Sequence, residues 1–307
     1  MLILMPITLP PITRRRFIKG AFAGAAAMSL PRFAWSSPAS NVDPDRLVLL
    51  SDIHIHASKT TDSHGINMWN NLQSVCDQVL RLDPVPAAVL VNGDCAFNNG
   101  HADDYKTFVE GVSRLREAGL PLHLGVGNHD DRDNFWKAVP SDVTREPLME
   151  HRQVLMLPLP NADWYMLDSL DQTAHTPGIL GPEQIAWLAR SLDKAPNRPA
   201  VVMVHHQPNT EEEKKIGGLT DTQAFLDVVL PRRQVKAIVF GHTHVWRHFV
   251  HEKLHFINLP TTAYVFHHEQ PAGWVDAHLG TTELRLQLNA LDPTHPQHKE
   301  LLTFPWR

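Results

Sequence analysis

Two rhythms of apolar residues alternate along the chain. The first is a short solid run that ends in polar residues. It occurs at Arg46–Asp52 (RLVLLSD), Ala87–Asp94 (AAVLVNGD), Leu122–Val126 (LHLGV), Trp164–Ser169 (WYMLDS), Ala200–Val204 (AVVMV) and Val235–Phe240 (VKAIVF). Runs of this length without polar alternation read as strands covered on both faces. The second rhythm has helical spacing. Met68, Leu72, Val75, Val79 and Leu80 predict a helix from Asn67 to Leu82, and Phe108, Val109, Val112 and Leu115 predict another from Asp103 to Ala118. A third is predicted from Gly181 to Leu192, with Pro182 in its first turn, and a fourth near Asp221 to Leu230; proline at the first helical position costs no hydrogen bond. Strand and helix taking turns in this way predict an α/β fold. Pro140 to Pro160 reads as a proline-rich connection, and Trp274 to Leu286 as antiparallel strands that close the sheet. No repeat or low-complexity tract divides the chain, so one catalytic domain is expected.

Composition narrows the class. Of 307 residues, 43% are hydrophobic and 20% charged, and the net charge is −5. Such a chain folds into a globule and has no general attraction for nucleic acid or anionic lipid. Only two cysteines are present, Cys76 and Cys95. They are too few for a disulfide framework or a thiolate zinc site, and they read as buried free thiols. Any metal must then be held by nitrogen and oxygen, which draws attention to the 20 histidines.

The N-terminal segment reads as an address. Thr13–Lys19 (TRRRFIK) precedes a weakly apolar stretch, Gly20–Leu30, and the small residues of SSPA end at Ala39. The stretch is shorter than the roughly 20 apolar residues that span a bilayer. The segment resembles a twin-arginine signal. That resemblance implies a signal peptide over residues 1–39, a catalytic domain over 40–307, the twin-arginine export machinery as a partner, and a periplasmic or otherwise exported protein with no membrane span once mature. The preceding MLILMPITLPPI is unusual for such a signal.

Two histidine patterns compete for the chemistry. His251–His255 (HEKLH) has the lettering of a zinc protease, which requires both histidines on one helical face. Its flanks Trp246, Phe249, Val250, Phe256 and Ile257 are aromatic or β-branched and alternate, so the segment reads as a hairpin turning near Glu252–Lys253. The other pattern is spread along the chain: Asp52-x-His54, Gly93-Asp94, Gly127-Asn128-His129-Asp130, His205-His206 and Gly241-His242-x-His244. Each block follows a predicted strand, where α/β sheets gather their ligands. If the first block is extended, Asp52 and His54 point the same way and can share an ion.

In this order the five blocks resemble the signature of the calcineurin-like metallophosphoesterases, D-x-H, G-D, G-N-H-D/E, H, G-H-x-H, over Asp52 to His244. The resemblance implies a four-layer αββα sandwich of two mixed sheets flanked by helices. It implies two transition-metal ions, divalent or trivalent (iron, manganese or zinc). The first would be held by Asp52, His54, Asp94 and His244, the second by Asp94, Asn128, His205 and His242, with Asp94 bridging. Two carboxylates against at least four positive charges leave such a site cationic, as a phosphate ester requires. The implied activity is that of a metal-dependent phosphoric ester hydrolase in which a metal-bridging hydroxide attacks phosphorus. His129 would act on the leaving group and Asp130 would orient its ring. Substrate contacts are expected from His129, Asn128, His206 and Arg132. His56, His64, His267 and His268 are read as solvated loop residues.

Asp131, Arg132 and Phe135, together with Gly181–Leu188 (GPEQIAWL), resemble the branch containing cyclic-nucleotide and glycerol phosphodiesterases. A small-molecule phosphodiester is therefore the expected substrate, with a monoesterase or nucleotidase as one alternative and a non-catalytic metal-binding protein as the other. The sequence leaves open the natural ester, the metals, the oligomeric state and the role of the loop from Glu211 to Gly218.

Overall fold

In the computed structural model the residues described are 41–139, 149, 151–213 and 217–306. The signal expected over residues 1–39 lies outside them, as do residues 140–148 of the proline-rich connection. Two six-stranded mixed sheets carry the architecture. The first runs in the order β14 (Leu301–Pro305), β13 (Glu283–Ala290), β12 (Gly273–Leu279), β1 (Val42–Leu50), β4 (Val85–Val91) and β5 (Leu122–Leu124). The second runs β10 (Arg247–His251), β11 (Leu254–Asn258), β9 (Val235–Phe240), β8 (Ala200–Val204), β7 (Asp163–Leu167) and β6 (Leu155–Pro158). A two-stranded ribbon, β2 (Asp62–Ser63) with β3 (Ile66–Asn67), stands apart. At the centre of each sheet the strands are parallel: β1 with β4 and β4 with β5, then β7 with β8, β8 with β9 and β9 with β11.

Period-two alternation sorts these strands into layers. Leu47, Leu49, Ala88 and Leu90 face inward and pack against Trp164, Met166, Val201, Met203, Val239 and Ile257 of the other sheet. Their neighbours Val48, Leu50, Val89 and Val91 face outward onto Met68, Leu72, Val75, Tyr105 and Phe108. On the far side, Tyr165, Leu167, Val202, Val204, Ile238 and Phe240 meet Trp187, Leu188, Leu192, Phe225 and Leu226. Helix, sheet, sheet and helix are thus stacked as four layers, the arrangement expected. β7, β8 and β9, and the C-terminal parts of β1 and β4, bury both faces, which is why the sequence shows solid runs there.

The helices follow their predicted faces with two differences. Met68–Val79, capped by the Asn67 side chain, Pro182–Asp193 and Thr222–Val229 lie where expected. The helix predicted from Asp103 to Ala118 breaks into Ala102–Gly111 and Ser113–Glu117. Gln73 Nε2 and Cys76 Sγ both donate to the Gly111 carbonyl, which takes that acceptor out of the helical ladder. The helix Arg132–Ala138 was not anticipated; the Asp131 side chain caps it by accepting from Asn134 N. Strands β6 and β14 were also not anticipated. The HEKLH segment is a β-hairpin, with Val250 paired to His255 and left-handed φ at Glu252 (46°) and Lys253 (71°).

Candidate metal centre

The parallel strands end together, and the five signature blocks begin where they end. Asp52 and His54 follow β1, Asp94 follows β4, Asn128 follows β5, His205 and His206 follow β8, and His242 and His244 follow β9. The two sheets join here, since Asn92 Nδ2 donates to the Val204 carbonyl at 3.1 Å. The donor atoms fall into three overlapping groups, each with all its atoms within 4.8 Å: Asp52, His54 and His244; Asp94, His205 and His242; and His54, Asp94 and His129. Asp94 stands between the outer two, its Oδ2 lying 3.3 Å from His205 Nε2 and 3.6 Å from His54 Nε2. Asp52 Oδ1 lies 3.4 Å from His244 Nε2.

The blocks do not leave the strands extended. Asp52, His54, Asp94, His242 and His244 all adopt left-handed φ, between 49° and 68°. The expectation that Asp52 and His54 share an ion by strand alternation is therefore replaced: both still face one point, but a tight backbone coil aims them. Left-handed φ costs about 1–2 kcal/mol per residue, which the burial of one strand leucine offsets. The coil is pinned by Ile53 N and His54 N donating to the Asp94 carbonyl at 3.0 and 2.8 Å. Backbone outliers gathered at one point mark a functional site.

Three histidines are fixed alike. His54 Nδ1 meets the Phe97 carbonyl at 3.0 Å, His205 Nδ1 the Asn92 carbonyl at 2.6 Å, and His244 Nδ1 the Tyr264 carbonyl at 2.6 Å. A proton on each Nδ1 leaves Nε2 as the inward donor, the usual arrangement around a bound metal. Asn128 Oδ1 is buried without a hydrogen-bond partner, a condition that a cation relieves. Glycine gives these groups room. A Cβ on Gly127 would lie 2.3 Å from Asp94 Oδ1 and 2.6 Å from His205 Nε2, and one on Gly241 would lie 2.7 Å from Asp52 Oδ2.

Burial works against the charge on Asp52, yet His244 and His205 hold its carboxyl below the usual range. Asp94 is likewise buried, and His205 with His129 and His54 holds it well below. Burial pushes His54 down to about 4 and His242 down to about 3. On His205 burial is outweighed by Asp94 and Asp52, and it rises to about 10. Two buried carboxylates thus demand positive charge, which burial discourages His54 and His242 from supplying. Imidazole, carboxylate and amide oxygen without thiolate suit iron, manganese or zinc, so the donor set fits the ions expected of it.

The sequence from residue 45 to 246 matches the family model of the calcineurin-like phosphoesterases. The chain belongs to this family. It is a metal-dependent phosphoric ester hydrolase. It is 26% identical over 224 residues to the 3',5'-cyclic adenosine monophosphate phosphodiesterase CpdA of Vibrio vulnificus, covering 72% of this chain and 77% of that one. A protein named probable glycerophosphodiester phosphodiesterase GpdQ, from Arcobacter nitrofigilis, is 25% identical over 64% of this chain and 71% of its own. In fold, a dimetal phosphatase from Danio rerio aligns with 86% of this chain and 100% of its own, with TM-score 0.68 at 14% identity.

Some residues singled out within the phosphoesterase signature take other roles. Asp130 does not hold the His129 ring. Its buried carboxylate accepts from Cys95 N, Ala96 N, Gly127 N and Tyr105 Oη. Burial, with Asp94 nearby, pushes it up to about 6. The His129 ring is held instead by its Nδ1 on the Asn98 carbonyl at 2.8 Å, and His129 N donates to Asp94 Oδ1 at 2.9 Å. Arg132, expected to contact substrate, is engaged within the chain: Nε and Nη2 grip Asp168 at 2.7 Å each, and Nη2 also meets the Leu170 carbonyl. Arg and Asp sit in a bidentate fork that locks both. His206 is fully buried, its Nδ1 2.7 Å from Ser169 Oγ, and its ring lies 4.7 Å from that of His242. It backs the centre and is closed to solvent. In GPEQIAWL, Gln184 clamps the backbone of Asp168 through both ends of its amide, which is a folding role.

HEKLH lies outside the donor groups. His251 Nδ1 pairs with Glu212 at 2.9 Å and Arg247 with Glu213 at 2.5 Å, so the hairpin anchors the loop that follows His206. Cys76 and Cys95 are free and buried. His56 bonds locally to Ser58 N and Thr61 Oγ1. What sequence reasoning missed is the layer behind the ligands: Asn92, Phe97, Asn98 and Tyr264 act through carbonyls, which every residue carries. His64, Tyr264 and Phe266 were also missed as a group, although AYVF is a visible aromatic cluster.

Proposed function

We propose that the protein hydrolyses a phosphodiester with two transition-metal ions held by Asp52, His54, Asp94, Asn128, His205, His242 and His244. The observation that carries this is Asp94: its carboxylate lies 3.3 Å from His205 of one flanking donor group and 3.6 Å from His54 of the other, a placement suited to one ligand shared by two ions. When bound, the ions would supply Lewis acidity toward the phosphoryl oxygens and a water of lowered pKa. The residues of the chain do the rest. The Nδ1 atoms of His54, His205 and His244 are tied to carbonyls and keep Nε2 aimed at the centre. His129 is tied in the same way to Asn98, which leaves Nε2 to hold a proton and pass it to the departing alkoxide.

A diester is favoured over a monoester because Arg132 is locked onto Asp168 and is not free to neutralise a second phosphate charge. The relatives named cyclic-nucleotide phosphodiesterases favour the same reading. The test is turnover of bis-p-nitrophenyl phosphate against p-nitrophenyl phosphate after reconstitution with manganese, zinc or iron. Faster hydrolysis of the diester is expected. Turnover of the monoester alone would make the enzyme a monoesterase, and turnover of neither would leave a metal-binding protein. Export follows from the TRRRFIK segment alone. Changing Arg14→Lys and Arg15→Lys together should retain the protein in the cytoplasm; unchanged export would remove that part of the proposal.

A further inference from the structure

A run of stacked rings borders the donor cluster on the side of His54 and His244. The Tyr264 ring lies 5.3 Å from His54 and 5.1 Å from His244. Phe266 stacks on His244 at 4.6 Å with an interplanar angle of 25°. His64 stacks on Tyr264 at 4.4 Å and 28°, and meets Phe266 edge-on at 5.6 Å. Tyr264 is buried, whereas Phe266 is 54% exposed and His64 is exposed. The rings therefore run without a break from a candidate ligand out to solvent. Among the exposed large hydrophobic side chains of the described residues, Phe266 is the one aromatic.

The shelf is built rigidly. Tyr264 accepts His244 Nδ1 on its carbonyl, and Thr262 N and Ala263 N donate to the carbonyls of Ser51 and Asp52 at 2.8 and 3.1 Å. Asn71 Nδ2 holds the Thr262 and Ala263 carbonyls from the helix side. The segment bearing the rings thus moves with the segment bearing Asp52. Among the described residues, the opposite flank is narrowed by His206 and Gly217, with His242 part-exposed between them. His206 packs there without exposure, and a Cβ on Gly217 would lie 3.1 Å from His242 Nε2 and 2.4 Å from Thr176 Cγ2. An ester group reaching from a phosphate bound at the donor cluster toward the aromatic side meets the exposed rings of Phe266 and His64.

We propose that Phe266 and His64, backed by the buried Tyr264 ring that His54 and His64 cover on its two faces, form a stacking subsite for a flat aromatic group carried on the phosphate ester, which selects nucleoside or aryl esters over glycerol esters. The subsite rests on the phosphodiesterase reading for the position of the phosphate. Aromatic faces take other aromatic faces in offset or edge-on stacks, and stacking on exposed rings tolerates any base because every base presents a π-face.

The test uses ligands whose C–P bond cannot be hydrolysed, so that binding is read apart from turnover. Metal-loaded protein is titrated calorimetrically with methylphosphonate, benzylphosphonate and the 5′-phosphonate analogue of adenosine monophosphate. At least one ring-bearing ligand should bind about tenfold more tightly than methylphosphonate, the scale of a single base stack. A gain for the adenosine analogue alone identifies a nucleoside ester; a gain for the benzyl ligand alone identifies an aryl ester. Phe266→Ala and His64→Ala should bring that ratio toward one, and Phe266→Trp should keep it. Because methylphosphonate shares the metal contacts, it is the internal reference should Phe266→Ala disturb His244; His64 contacts no candidate ligand in the stack. Equal affinities in the unaltered protein overturn the proposal. So does a ratio that survives both alanine variants, or a loss shared equally by all three ligands. Failure of the phosphodiesterase reading would appear separately, as absent diester turnover alongside an intact phosphonate ratio.

Discussion

Single side chains at the centre divide into those that can hold a metal and those that hold the holders. Asp94 belongs to two donor groups and also accepts His129 N. Asp94→Ala should therefore empty both metal positions, read by elemental analysis after gel filtration; one retained ion per chain would show that the two are independent. His129 borders the cluster through its backbone N–H on Asp94 and through its ring beside His54, while Nδ1 is tied to the Asn98 carbonyl. His129→Ala should retain metal and lower kcat by on the order of 10²-fold or more, the usual loss of a proton-transfer group; an unchanged kcat would move that role elsewhere. Asp130 separates from it. Its carboxylate satisfies three backbone N–H groups and the Tyr105 hydroxyl, all buried. Asp130→Ala should cost about 3 kcal/mol or more in denaturant stability, because it leaves those donors unpaired. A midpoint as high as that of His129→Ala would return Asp130 to a catalytic role.

Elements explain which histidines can matter. Ligands come from the C-terminal ends of β1, β4, β5, β8 and β9, where parallel strands of both sheets stop together. The HEKLH hairpin sits at the edge of the second sheet, as β10 and β11. It carries two histidines four positions apart, but on paired strands and not on one helical turn. Its Arg247 and His251 grip Glu213 and Glu212. His251→Ala and His255→Ala should leave metal content and kcat nearly unchanged; metal loss in either would make the hairpin part of the centre. The split of the predicted 103–118 helix has the same kind of cause. Gly111 fits beneath Leu72, and its carbonyl serves Gln73 and Cys76, partners more than thirty residues away that no local periodicity can register.

At the scale of the whole molecule, two buried carboxylates lie at the junction of two sheets, and cations would bind them in the folded state alone. Ligand binding restricted to the folded state adds about 4 kcal/mol at a thousandfold excess over Kd, and ~1 kcal/mol moves Tm by about 2–4 °C for domains of 150–250 residues. Chelation should thus lower Tm by on the order of 10 °C, followed by circular dichroism, and Asp94→Ala should be insensitive to chelator. An unmoved Tm on complete metal removal would mean that the centre is held open by the sheets without help. No helix among the described residues is long and apolar enough to cross a membrane.

Sequence alone marked the parallel strands at the core of the sheets, because strands buried on both faces must be continuously apolar, and it marked the ligand blocks, because each cluster of aspartate, asparagine or histidine follows such a run. It also separated the hairpin from the helix a zinc protease needs, through β-branched and aromatic flanks. Only the tertiary structure decided how the ligands point: Asp52, His54, Asp94, His242 and His244 take left-handed φ, Asp52 N and His54 N are held by the Gly93 and Asp94 carbonyls, and His242 N by the Asp52 carboxylate. It alone reassigned Asp130 and Arg132, whose partners Tyr105 and Asp168 lie 25 and 36 positions away. It alone assembled His64, Tyr264 and Phe266 beside His244. A side chain's type is local, but its partner is set by where the packed sheets bring remote segments together.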